Sequence, residues 1–147
     1  MALWDWTLRA YGQAGVPQAC LALQDDYGQN TSFLLWAVWA EAADPSLLTR
    51  AADIARRWEA LALTPLRDMR RALKPPLEGI EDAERCALRE DVKAVELRAE
   101  RVLMESLETL TDEPGGAPAL TALEAASAAW GRPAPPDTLA ALAAALG

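Results

Sequence analysis

Four cations, Arg67, Arg70, Arg71 and Lys74, stand at i, i+3, i+4 and i+7, a spacing that lines them along one side of a helix. Guanidinium groups fork carboxylate or phosphate, so such a row suits an anion or an acidic partner. Internal pairing with Glu84, Glu96 and Glu100 is the first expectation. A solvated face and a site for an external anionic partner are the alternatives. Asp25 and Asp26 form a second candidate, a carboxylate patch within Gln24–Asn30. They fall at a helix C-terminus, where negative charge opposes the macrodipole. A solvated turn, its carboxylates bonding nearby backbone N–H groups, is the plainer reading; Mg²⁺ binding or an outside cap for the next helix is the sharper one. A hydrolytic carboxylate site would need a second acidic pair facing this one, and none is visible.

Other chemistries are excluded by residue type. Histidine is absent, which removes the commonest general base, the Ser-His and Cys-His nucleophile pairs, and the commonest zinc ligand. Cys20 and Cys86 have no ligand-like spacing and read as buried thiols of a reducing compartment rather than a disulfide. No P-loop or G-x-G-x-x-G occurs, and Gly115-Gly116 is flanked by prolines and follows no strand. No catalytic residue, metal site or cofactor is therefore expected.

Six tryptophans in 147 residues form a third feature. Trp36, Trp39 and Trp58 fall on apolar faces, where core packing is the default. Trp4 and Trp6 are two apart, so on a helix they point to different sides. Core packing ranks first for them too, but one should be partly exposed and is a candidate interface aromatic.

The elements that position these residues are all helical, because no stretch alternates with period two. Leu3–Gln13 is a first helix with Trp4, Leu8 and Tyr11 on one face, and Val16–Tyr27 a second, ending at Gly28. Asn30 or Thr31 caps a third, apolar on nearly every side, over Ser32–Ala43. Asp44-Pro45 opens a fourth running to Leu63, with Asp53 and Arg57 at pairing distance. Thr64-Pro65 repeats the device for a short fifth, with Leu66, Met69 and Leu73 as its inner face. The sixth, Gly79–Leu110, carries an apolar seam at Leu88, Val92, Val95, Ala99, Val102/Leu103, Leu107 and Leu110. Beyond the linker Glu113–Pro118, Thr121 and Glu124 have capping-box spacing for a seventh helix, and Leu139, Leu142 and Leu146 mark a terminal one.

The net charge of −8 argues against nucleic acid and against anionic lipid. It hides a basic island, since residues 50–74 hold seven basic and three acidic side chains while both flanks are acidic. The N-terminus lacks a basic signal-like stretch, and the most apolar run, Phe33–Ala40, is far short of the roughly 20 residues that span a bilayer. A soluble cytoplasmic protein is expected.

With those residues laid out, the sequence resembles the proteobacterial proteins grouped as domain of unknown function 2390. The resemblance rests on Leu3-Trp-Asp-Trp6 with Leu8 and Tyr11; Gly15-Val16 and Cys20–Asp25 with Gly28; Leu34-Leu-Trp36 and Trp39; Pro65-Leu-Arg67, Arg70-Arg71 and Leu73-Lys74; and Val92–Leu97 with Ala99-Glu-Arg101. Ser32 stands where that family suggests Asn, and Arg98 where it suggests an acid. The resemblance implies a bacterial cytoplasmic origin and a body ending near residue 110, and no activity, cofactor or catalytic residue.

The expectation is an all-α, irregular or orthogonal bundle of five to six helices over 1–111, with one long helix and a Pro/Gly-linked helical tail over 112–147. The expected role is non-enzymatic, through contact with a partner protein. The alternative is an enzyme or small-ligand binder using the Asp25/Asp26 and Arg patch on an anionic or metal-bound substrate.

Overall fold

The computed structural model describes residues 1–147. It contains α1 (Leu3–Tyr11), α2 (Val16–Tyr27), α3 (Thr31–Trp39), α4 (Pro45–Trp58), α5 (Thr64–Ala72), α6 (Asp82–Glu108), α7 (Ala119–Ala129) and α8 (Pro136–Leu146), and no strand. A π-helical turn, Glu59–Leu63, joins α4 to α5 without a break. Counted as uninterrupted segments the helices number seven, against the five to six expected for the bundle. The excess is α7 and α8, expected apart as a tail; Thr64-Pro65 lowers the count instead, because it does not start a new helix. Pro65 has no N–H and its ring crowds the carbonyl four residues back. The chain widens instead of breaking: the Thr64 N–H donates to the Glu59 carbonyl, five residues back.

Helix ends follow local chemistry closely in places. The Asn30 side chain accepts from the Phe33 N–H at 2.9 Å, and the Asp44 carboxylate from the Leu47 N–H at 2.9 Å. Gly28, at φ 62°, closes α2 in the left-handed region. The Thr121/Glu124 box is not used, since α7 begins earlier, directly behind Pro118. Asp53 bonds Arg56 at 3.1 Å rather than Arg57, which turns to the Asp53 carbonyl.

α3 is the axis of the core, buried from Thr31 through Ala37 with Phe33 and Trp36 fully enclosed. α1, α4, α6 and α7 pack around it. α6 buries Val92, Glu96, Ala99, Leu103, Met104 and Leu107. Leu88, Val95 and Val102, expected in that seam, are exposed, because the buried stripe is turned to include Glu96. Cys86, expected buried, is exposed near the α6 N-terminus; Cys20 is buried and both are free. No helix is long and apolar enough to cross a membrane.

The segment from 112 onward shares this core. Leu123, Ala126, Leu139 and Leu142 join one cluster with Leu3, Leu23, Phe33 and Trp36. α7 lies on α3 and α4, and α8 on α2. Polar pins hold it as well. Buried Gln29 donates to the Arg132 carbonyl at 2.7 Å and accepts from the Ser127 hydroxyl at 2.9 Å; Ser127 in turn accepts from the Ala134 N–H at 2.8 Å. Trp130 Nε1 donates to the Gly28 carbonyl at 2.9 Å, and the Arg56 guanidinium lies 5.3 Å over the Trp130 ring. The linker itself is bonded, with the Gly115 N–H on the Ala40 carbonyl at 2.9 Å and the Ala117 N–H on the Glu41 carbonyl at 3.0 Å. Gly115 is required by space, since a Cβ there would meet the Glu41 carbonyl oxygen at 2.5 Å.

Two outcomes follow for chemical denaturation. Leu123→Ala and Leu142→Ala should each cost roughly 2–5 kcal/mol in a single cooperative transition, as for any fully enclosed leucine. A separate, early transition that carries the whole loss would contradict a shared core. Gly115→Ala should destabilise measurably through its clash with the Glu41 carbonyl, and Gly116→Ser through its left-handed φ of 85° despite the open space around it.

Candidate functional site

α5 has no buried residue, yet it is fixed on α6. The attachment is polar. Arg70 grips the buried Glu96 carboxylate, with Nε at 2.6 Å from Oε2 and Nη2 at 3.4 Å from Oε1. Arg67 Nε lies 4.0 Å from the same carboxylate and makes no hydrogen bond. From the other helix, Arg85 Nη1 donates to the carbonyls of Leu73 and Lys74 at 2.6 and 2.9 Å, and Arg89 Nε to that of Arg70 at 3.2 Å. These cations satisfy carbonyls that the end of α5 leaves without helical partners.

The row of four cations therefore divides. Arg67 and Arg70 turn in to Glu96; Arg71 reaches Asp25 at 3.4 Å across to α2; Lys74 is exposed without an ion pair. Met69, expected on the inner face, is exposed. Glu84 takes no part in the pairing. Asp26 is exposed, no acidic pair faces Asp25 and Asp26, and no group of acids and thiols is arranged to hold a metal ion.

One turn beyond Glu96, Glu100 has no ion pair and no hydrogen bond. Burial pushes its carboxyl up to about 7, reinforced by the Glu96 charge and opposed by Arg67 and Arg70. Glu59, in the π turn, is also raised by burial, against Arg67 and a 3.5 Å hydrogen bond from Asn30 Nδ2. Burial likewise raises Tyr11 and takes Cys20 to about 11, the two groups facing each other beside Glu100 and Thr31. Three carboxyls thus share two guanidiniums in one half-enclosed cluster.

Glu100 is also where two clefts meet. One, of about 320 Å³, runs between α1 and α6 and is lined by Trp4, Thr7, Leu8, Tyr11, Ser32, Leu97, Glu100 and Met104. The other, of about 120 Å³, lies on the far side of Tyr11 against Pro17, Cys20 and Leu21. The face of α1 carrying Trp4, Leu8 and Tyr11 therefore opens on this cleft, while Leu3, Thr7 and Ala10 face the core. Leu8 is 54% exposed and Leu97 52%. Trp4 and Trp6 are both half-buried. Arg101, held by Glu105 at 2.6 Å, lies 5.5 Å over the Trp4 ring at the rim.

Residues 2–107 match the family described as "Protein of unknown function (DUF2390)". The chain belongs to this family. The DUF2390 match takes in α1 to α5 and nearly all of α6, hence the whole cluster and both clefts, and leaves α7 and α8 outside. No curated protein and no solved structure matches the chain.

The sequence marks Arg67, Arg70 and Trp4, with Tyr11 on the Trp4 face, but not Glu59, Asn30 or Ser32 as their neighbours. The available signal was Glu96 and Glu100, four apart on the packed side of a long helix.

Glu100 sets a sign for stability against pH. Its folded value lies above the ordinary 4.5, so the folded state binds the extra proton between those values, and stability is lost as pH rises from about 4.5 through about 7. Glu100→Gln removes that loss. Its stability relative to the native chain should rise by roughly 3 kcal/mol between about pH 4 and pH 8 in urea titrations. Parallel curves would contradict the assignment. Glu96→Ala leaves two inward cations without their anion and should cost about 3–5 kcal/mol, whereas Glu105→Ala, on the exposed pair with Arg101, should cost less than about 1 kcal/mol.

Proposed function

We propose that this DUF2390 protein acts without catalysis, by contact with a partner protein, and that the contact surface is the α1–α6 cleft beside Trp4. The observation that carries this reading is the unfilled apolar wall of that cleft. Leu8 and Leu97 stand more than half exposed on either side, with Leu21 exposed nearby and Trp4 and Tyr11 between core and solvent. Contiguous exposed apolar surface of this kind marks interaction sites, and aromatic residues with one wet edge serve as anchors.

The Arg row supports such a role less well, because two of its four cations are occupied with Glu96 and a third with Asp25. The alternative, an enzyme or ligand site on Asp25, Asp26 and the Arg row, has less to draw on. Asp25 and Asp26 are exposed and line neither of the clefts that reach Glu100.

The test is site-specific photocrosslinking in the cells that make the protein. A photoreactive residue replacing Leu8 or Leu97 should give one discrete protein adduct, lost when Trp4→Ala is added. The same residue at Arg50 or Asp137, exposed elsewhere, should give none. Adducts at every position alike, or none at Leu8 and Leu97, would overturn the reading; an adduct of twice the chain mass would assign the surface to a second copy.

A further inference from the structure

The cleft ends on a carboxylate with no ion pair of its own. Glu96 occupies Arg70 at 2.6 Å and Arg67 at 4.0 Å, while Glu100 has no ion pair. With Glu59 counted, the cluster holds three carboxyls and two guanidiniums, one negative charge in excess when all are ionised. Alone, the protein resolves this by leaving Glu100 protonated up to about pH 7. A cation delivered through the cleft would resolve it equally well, and Glu100 is the only charged residue lining that cleft.

Resting on the partner-binding reading above, we infer that the cleft receives a lysine side chain of the partner, its methylene stem against Trp4, Leu8, Leu97 and Met104 and its ammonium on the Glu100 carboxylate. The shape fits one side chain: about 320 Å³ is at the small end of ligand pockets, too little for a large cofactor. The lining fits both ends of lysine. Five of its eight residues are hydrophobic, matching a four-carbon stem that packs on apolar surface while its charged head stays polar. An ammonium brings three N–H donors and no acceptor. The same lining offers further acceptors to meet them in the hydroxyls of Ser32 and Thr7, the latter spending its own hydrogen on Met104 Sδ at 3.4 Å. The Trp4 ring already carries one cation, the Arg101 guanidinium at 5.5 Å. The one cation at the rim, Arg101, is paired with Glu105 and does not cancel the excess.

The groups that face Glu100 are Glu96 on its own helix, Arg67 and Arg70 from α5, Tyr11 from α1 and Cys20 from α2. Tyr11 and Cys20 are held above their ordinary values and stay neutral through the neutral range, and Glu59 lines neither cleft, so the pH response at the cleft belongs to Glu100.

The test titrates the full chain with N-acetyl-lysine-N-methylamide, into the tens of millimolar, following amide and indole resonances by NMR. At about pH 8, saturable shifts should gather at Trp4, Leu8, Leu97 and Glu100. Binding should weaken about tenfold at pH 6, as Glu100 takes up its proton, and about tenfold or more for the norleucine analogue, which keeps the stem and loses the charge. Glu100→Gln, which keeps the shape, should lose the preference for lysine. No saturable shift at the cleft, equal binding of norleucine, or lysine binding undiminished in Glu100→Gln would each overturn the inference. Should crosslinking at Leu97 succeed while any of these occurs, the partner surface stands and its lysine does not; failure of the crosslinking as well removes both.

Discussion

The buried Glu96 carboxylate is the interaction on which the rest of this protein's polar architecture depends. α5 is too short of apolar surface to attach itself, since Leu66 and Leu73 are only half-buried and Met69 is exposed. What fixes it is charge: Arg67 and Arg70 close on Glu96 from one side, and Arg85 and Arg89 return from α6 to the α5 carbonyls. A buried pair of this kind is worth little as net stability against an apolar replacement, but breaking it leaves an uncompensated charge. Its effect is to specify where α5 sits. Once Glu96 has taken both guanidiniums, Glu100 is left with burial and a like charge, and its raised value follows.

The second constraint is how the core is closed. α3 is apolar on every side, so it needs neighbours all round, and α1, α4 and α6 supply only part of that cover. α7 completes it, with α8 packed behind on α2 and α7. The chain between them and α6 is seated by two backbone bonds on the α3–α4 turn and by the tight fit of Gly115 under the Glu41 carbonyl. Gln29 and Ser127, both fully enclosed, satisfy one another and the loop before α8. Buried polar groups that are all satisfied fix one arrangement of the surrounding helices. The family match stops at 107, so this closing layer belongs to the chain but lies outside the matched region.

The helical class, the Asn30 and Asp44 caps and the buried α3 were legible in the sequence because each rests on local chemistry: a capping oxygen, a proline in the first turn, a run of apolar residues. The α6 seam was less legible. A reading by apolar spacing selects Leu88, Val95 and Val102, whereas the packed stripe turns through Glu96, an acid that only a partner on another helix makes tolerable. Apolar spacing places Met69 inward for the same reason, although it is Arg67 and Arg70 that turn in, to the Glu96 named among their expected partners. The π turn escaped notice because Thr64-Pro65 reads as a helix start, and only the fold shows the chain running on through it. The docking of 112–147 was obscured by its Pro/Gly-rich linker, whose glycine marks a close approach rather than a loose tether. Of the candidate site, the cations and Trp4 were visible; that Tyr11, Ser32 and Glu100 surround one cleft is a fact of tertiary contact with no local signature.

Three carboxyls share two guanidiniums, and Glu100 is the one left over. The most direct measurement is the side-chain carboxyl ¹³C shift of Glu100, followed by NMR against pH in the native chain and in Glu96→Gln. The midpoint should lie near 7 in the native chain, and fall clearly toward the ordinary glutamate range once the Glu96 charge is gone and both arginines are released. A native Glu100 that titrates near 4.5, or one whose midpoint ignores the loss of Glu96, would contradict it.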